Sequence, residues 1–179
     1  MEIKFGSRGF IHVYTGNGKG KTTAALGLAF RAMGRGMRSY IAQFMKGVEY
    51  GELAAAAQVA HWITIEQFGA DSGDCVHPQY SDADVALARN GLERAEKEML
   101  SGRYRIVILD EINVAGYYNL VTIPEVIQFI KNKPHEVELI LTGRYAAEEV
   151  LKAADLITEM VERKHYFQQG ILARDGIER

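Results

Sequence analysis

The chain has 179 residues, 47% of them hydrophobic, with 21 Lys and Arg against 23 Asp and Glu for a net charge of -2. That is enough chain for one domain with its own core, spanning 1–179, and too little net positive charge for a global field that would draw in nucleic acid or an anionic membrane. A single cysteine, Cys75, excludes an internal disulfide, and no run is long and apolar enough to read as a signal peptide or membrane span, so a soluble cytoplasmic protein is expected.

In chain order, short β-rich runs alternate with helical patterns. FIHVY (10–14) reads as a strand, followed by a helix over 21–33 in which Leu26, Phe30 and Met33 repeat at helical spacing. RSYIAQF (38–44) is a strand, ELAAAAQVA (52–60) a helix and WITIEQF (62–68) a strand, with Trp62 expected in core or edge packing. The polar stretch GADSGDCVHPQY (69–80) is long enough to suggest a functional loop. Ser81 is placed to cap a long helix to about Leu100, with Val85, Ala88, Leu92 and Met99 on one face and Glu93 set to pair with Lys97. Strand RIVILD (105–110), a turn, helix IPEVIQFIKN (123–132), strand VELILT (137–142), helix AAEEVLKAA (146–154) and a strand around LITEMV (156–161) complete the series. Apolar strands alternating with helices argue for an α/β fold whose mostly parallel sheet is covered on both faces.

Between the first strand and helix lies TGNGKGKTT (15–23). It matches the end of a phosphate-binding loop, G-x-x-x-x-G-K-[ST], at Gly20, Lys21 and Thr22, but has Thr15 where the leading glycine stands. Gly16, Gly18 and Gly20 allow the turn and the approach of backbone N–H groups to an anion. Asn17, Lys19 and Thr23 complete the nucleotide-binding set, Lys21 brings a mobile positive charge, and the Thr22 hydroxyl can ligate Mg2+. Lys19, a second cation in the loop, favours a polyphosphate over a monophosphate.

At the end of RIVILD, Asp110 stands as a Walker B carboxylate able to hold magnesium directly or through water, and Glu111 as a base, metal helper or substrate contact. The alternative for both is a pair of solvent-facing acids. LILTGR (139–144) brings Arg144 to the same carboxyl edge of the sheet, to contact phosphate or nucleotide or to remain a solvated arginine.

Taken in order, TGNGKGKTTAALGLAFRAMGRG, QFMKG with YGE shortly after it, VILDEI and LTGR resemble the ATP:corrinoid adenosyltransferases of the cobalamin-assembly type over nearly the whole chain. The resemblance implies a P-loop NTPase (RecA-like) fold. It also implies transfer of the 5′-deoxyadenosyl group of ATP to the Co(I) of a reduced corrinoid (cobalamin, cobinamide or cobyrinic acid diamide), with release of triphosphate. ATP would lie reversed in the loop, which accounts for the altered first position. Co(I) is itself the nucleophile, so the protein has to position and to stabilise charge; Lys21 and Glu111 are the catalytic candidates. Lys46 and Glu52, after QFMKG, are candidates for the corrinoid side, against the alternative of ordinary surface charges. A homodimer and a flavin or flavoprotein reductant belong to the same implication. The family's phenylalanine and tryptophan two apart, after the third strand, are absent from QFGADSGDCVHPQY, which offers Phe68 and Tyr80. Cys75 and His77 are too few for a zinc site, and His12, His61, His135 and His165 receive no role. Two other classes compete: a small-molecule kinase, which wants an arginine-bearing lid that the segment after LTGR lacks before Arg163, and an ATPase acting as a nucleotide-dependent switch.

Overall fold

A computed structural model describes residues 8–70 and 80–178. Its six strands form one sheet in the order β3-β2-β4-β5-β1-β6, every neighbour parallel. The strands are β1 (Ile11–Thr15), β2 (Ser39–Phe44), β3 (Ile63–Phe68), β4 (Ile106–Asp110), β5 (Glu138–Thr142) and β6 (Leu156–Glu159). Helices α1 (Lys21–Met33), α2 (Gly51–Gln58), α3 (Asp82–Leu100), α4 (Ile112–Tyr117), α5 (Ile123–Lys131) and α6 (Glu148–Ala153) connect them. A 3-10 turn, Tyr166–Gln169, follows β6.

Two apolar clusters lie on opposite faces of the sheet, as parallel strands between helical layers require. The larger joins Phe44, Leu109 and Leu141 to α3 and α5, and the smaller joins Ile41, Ile108 and Ile140 to α1. The caps of α3 and α5 follow from sequence: Ser81 and Thr122 each close a capping box, with Asp84 and Glu125 returning the bond. Trp62 packs against the smaller cluster, as expected.

Three expectations need correcting. The buried stripe of α1 is Ala25, Ala29 and Ala32, while Phe30 is 67% exposed. Small residues let that helix lie close to the sheet, so Phe30 turns outward while Leu26 and Leu28 pack at the margin of the smaller cluster. The ion pair formed along α3 is Arg94 with Glu98, at 3.0 Å, rather than Glu93 with Lys97. The turn after Asp110 is a helix, α4, entered through Glu111 in the left-handed conformation, φ 63°. Edge strand β6 is exposed along its whole length, so the helical cover stops short of it.

Candidate nucleotide-binding site

The carboxyl ends of β1, β4 and β5 converge on one cavity of about 650 Å³. The loop after β1 shapes its floor. Gly16 (φ 91°) and Gly18 pass so close to the chain leaving β6 that an added Cβ would stand 2.5 Å and 2.7 Å from the Met160 carbonyl oxygen. Gly18 N–H donates to that same oxygen at 2.6 Å. The register of β1 with β6, Thr15 opposite Glu159, delivers the loop to this contact. Gly20, at φ 120°, then turns the chain into α1, whose first residues line the cavity where a helix N-terminus offers free N–H groups to an anion.

Lys21 is buried and its ammonium donates to the carbonyls of Gly16 (2.7 Å) and Gly18 (2.8 Å), leaving one of three donors for a ligand. Burial lowers its pKa, opposed by the nearby charge of Glu111. Lys19, Gly20, Thr22, Thr23, Glu111 and Arg144 also line the cavity. Asn17 is exposed and, with Gly16, stands outside the lining. Gly16 shapes the loop from behind.

Asp110 is buried at the end of β4, and both of its oxygens are engaged. Oδ1 accepts from the hydroxyls of Thr22 (2.8 Å) and Thr142 (2.7 Å), and Oδ2 from Lys46 (2.9 Å) and Gln43 (3.3 Å). The Thr22 hydroxyl and Asp110 carboxylate are therefore adjacent oxygen donors, which suit a hard divalent cation. Among the described residues no three His, Cys, Asp or Glu side chains gather as a metal cage. An ion such as magnesium would take its other ligands from phosphate and water, its usual habit beside one or two carboxylates.

Lys46 is the residue whose environment differs most from a surface charge. It is buried, 3.6 Å from Glu52, and its ammonium lies 5.0 Å from the centre of the Tyr50 ring. Burial works against its charge, but Asp110, followed by Glu52, outweighs that and raises its pKa above the ordinary lysine value. The preceding Met45 adopts φ 60°, a strained turn that brings the chain inward at the end of β2. Glu111 is shifted toward its neutral form: burial first, then the Asp110 charge, raise its carboxyl pKa. A raised acid and a lowered lysine, Glu111 and Lys21, in one cleft are the electrostatic mark of a functional site.

Sequence reasoning missed Gln43, Thr142 and the segment His165, Gly176, Ile177 and Glu178, which supplies a wall of the cavity. Gln43 and Thr142 lie in strands whose alternation signals burial alone; the wall comes from residues more than 140 positions away from the loop they approach. Cys75, His77 and most of the loop expected to replace the aromatic pair lie outside the described residues. Phe68 belongs to the core, against Phe44 at 6.3 Å and beneath Gly91, and does not face the cavity. Tyr80 packs against Tyr118, ring centres 5.0 Å apart.

A strand, glycine loop and helix with a buried aspartate two strands away, at the switch between β1 and β4 in the sheet order, define a P-loop nucleotide-binding α/β protein. Comparison with known proteins narrows the class. The chain belongs to the ATP:corrinoid adenosyltransferase BtuR/CobO/CobP family, whose model matches residues 7–179. It is 39% identical over 181 residues to a corrinoid adenosyltransferase of Sinorhizobium sp, covering 99% of this chain and 84% of that one. It is 35% identical over 174 residues to the corrinoid adenosyltransferase of Escherichia coli K12, with 96% and 86% covered. To corrinoid adenosyltransferase CobA of Salmonella typhimurium it is 33% identical over 172 residues, with the same two coverages.

Proposed function

We propose that this protein transfers the 5′-deoxyadenosyl group of ATP to the Co(I) centre of a reduced corrinoid and releases triphosphate. The observation that carries this reading is the cavity itself: four cations, Lys19, Lys21, Lys46 and Arg144, line it together with the N-terminus of α1, and no Ser–His or Cys–His pair stands among its lining residues. That inventory suits stabilisation of a departing polyanion by a protein whose substrate brings its own nucleophile. In the transfer the cobalt electron pair forms the cobalt–carbon bond as the bond from the 5′ carbon to oxygen breaks, and the oxygen leaves with the triphosphate.

Gly20 and the first residues of α1 offer backbone N–H groups, Lys21 its remaining donor and Arg144 its guanidinium to that leaving group. Thr22 and Asp110 would hold Mg2+, which when bound supplies further charge neutralisation on the phosphates. Gln43, Thr142 and Lys46 fix the Asp110 carboxylate from behind. Glu111, left-handed, opens α4, which ends at the exposed Tyr117; that ring lies 4.4 Å from the ring of Tyr145, the residue after Arg144. This side is the one we assign to the corrinoid. A cytoplasmic homodimer served by a reduced flavin or flavoprotein completes the reading.

The test is an anaerobic reaction of the protein with MgATP and chemically generated cob(I)alamin or cob(I)inamide. Adenosylcorrinoid and triphosphate in equal amounts are expected. ADP and phosphate without a cobalt–carbon product would replace the reading with that of a switch ATPase.

A further inference from the structure

The segment after β6 folds back over the phosphate loop. Nearly all of its residues from 166 to 177 are exposed, so little apolar burial holds it in place. Its order comes from its own end: Glu178 accepts from Arg174 at Nε and from the backbone N–H of Arg174 (2.9 Å), and from the Tyr166 hydroxyl. Arg174 also lies over the Tyr166 ring, 4.9 Å from its centre. The unit so formed meets the phosphate loop at Lys19. That ammonium donates to the Ile177 carbonyl at 2.8 Å and to the Glu178 carboxylate at 2.9 Å. Two of the three donors of a loop lysine are thereby spent on the strap. Gly176, Ile177 and Glu178 then form the cavity wall next to Lys19 and Thr22.

We propose that Glu178 is a positioning residue that competes with the triphosphate for Lys19, so that the strap is released when the polyanion binds and draws Lys19 back as the triphosphate departs. The inference rests on the reading that the loop holds a triphosphate. Its physical basis is charge. The cation that the carboxylate engages is one the polyphosphate would otherwise use. Glu178 is shielded, with its side chain 15% exposed, whereas Lys19 at 39% remains accessible from the cavity mouth. The competition thus holds the triphosphate less tightly than the loop alone would, which suits an enzyme that must discharge a multiply charged product after every transfer.

The experiment measures binding of inorganic triphosphate with Mg2+ by calorimetry to the wild type, Glu178→Gln, Lys19→Met and the double variant, with melting curves to confirm folding. Glu178→Gln is expected to bind about two- to fivefold tighter, the range a partly exposed ion pair supports. Lys19→Met is expected to bind more weakly, and adding Glu178→Gln to it to restore nothing, because the competition needs both partners. Amide hydrogen exchange supplies an independent readout: saturating triphosphate should speed exchange in 166–178 of the wild type. Equal or weaker binding by Glu178→Gln, a gain that survives without Lys19, or slowed exchange in the strap overturns the latch while leaving the loop's role intact. Failure of the wild type to bind triphosphate overturns the reading of the loop, and the latch with it.

Discussion

Two ion-pair networks flank strand β2, and they make opposite use of the same chemistry. At its carboxyl end Lys46 and Asp110 meet at 2.9 Å with side chains 8% and 1% exposed, with Gln43 and Glu52 around them. Nearer its middle the Tyr40 hydroxyl donates to Glu66, which also takes two bonds from Arg94, both 2.9 Å, with the Arg94 and Glu66 side chains 39% and 31% exposed. The second network ties β3 to α3 at small desolvation cost and contributes to stability in the ordinary way. The first is buried, is reached through a strained Met45, and lies where ligands bind in such sheets. A buried pair of this kind is a poor device for stability, since well-packed apolar residues would serve as well or better. Its place beside the Thr22 hydroxyl suits another use: Lys46 and Gln43 hold the Asp110 carboxylate oriented, as the proposed cation and polyphosphate site requires.

The largest expected effect within the inner region is on chemistry. Lys21→Ala should lower the transfer rate by about 10²–10³-fold or more, the range for loss of one preorganised donor to developing negative charge. Stability should change little, because the bonds lost are those to Gly16 and Gly18 within the loop and because burial already disfavours the charged ammonium. Single-turnover kinetics beside a denaturant melt check the split. A large loss of stability would make Lys21 a structural strut and erase its contrast with Lys46.

Lys46→Met is the converse. It removes one partner of a buried pair and leaves Asp110 without its cation, a change that costs about 3–5 kcal/mol. For a chain of this size that is a fall in melting temperature of roughly 10 °C. Arginine at the same position would keep the charge but carries a larger planar head into a packed site, so partial recovery is expected. A Lys46→Met protein as stable as the wild type would place Lys46 among ordinary surface charges, the alternative its sequence position leaves open.

Much of this contrast is legible in the amino-acid sequence, and the part that is not has a common cause. The alternation of apolar runs and helical spacing announces the parallel sheet, and the loop with Asp110 announces the phosphate end of the site, because each depends on residues close together in the chain. The buried face of α1 is not readable from hydrophobicity, since Leu26 and Phe30 outrank alanine on that scale while close packing against a sheet favours the smaller residue. Lys46 is ambiguous for a related reason. Sequence shows a lysine after a strand, but its burial depends on Gly47 and Gly69, where an added Cβ would meet backbone at 2.4 Å, and on a carboxylate 64 residues away. The strap over Lys19 depends on a separation of 159 residues and has no periodic signal at all.

The smallest effect expected belongs to the outer network and is visible only as a function of pH. The Arg94 hydrogen bonds hold the Glu66 carboxyl below its ordinary pKa near 4.5, with the Tyr40 hydroxyl adding to the effect against the opposing pull of burial. A carboxyl whose pKa is lower in the folded chain binds fewer protons there than when unfolded. Its stabilisation is therefore complete above the ordinary value and is lost as pH falls through the lowered one. Glu66→Gln removes that dependence. At pH 7 the variant should be less stable by about 1 kcal/mol or less, given how exposed Arg94 is, and the difference should close in acid well below pH 4.5. Transfer activity at neutral pH serves as the control, because neither Glu66 nor Arg94 lines the cavity. Urea melts of both proteins across that range decide it. A gap that persists unchanged in acid would mean that Glu66 acts through packing rather than charge, and the outer network would then owe its stability to the same close contacts as the core beneath it.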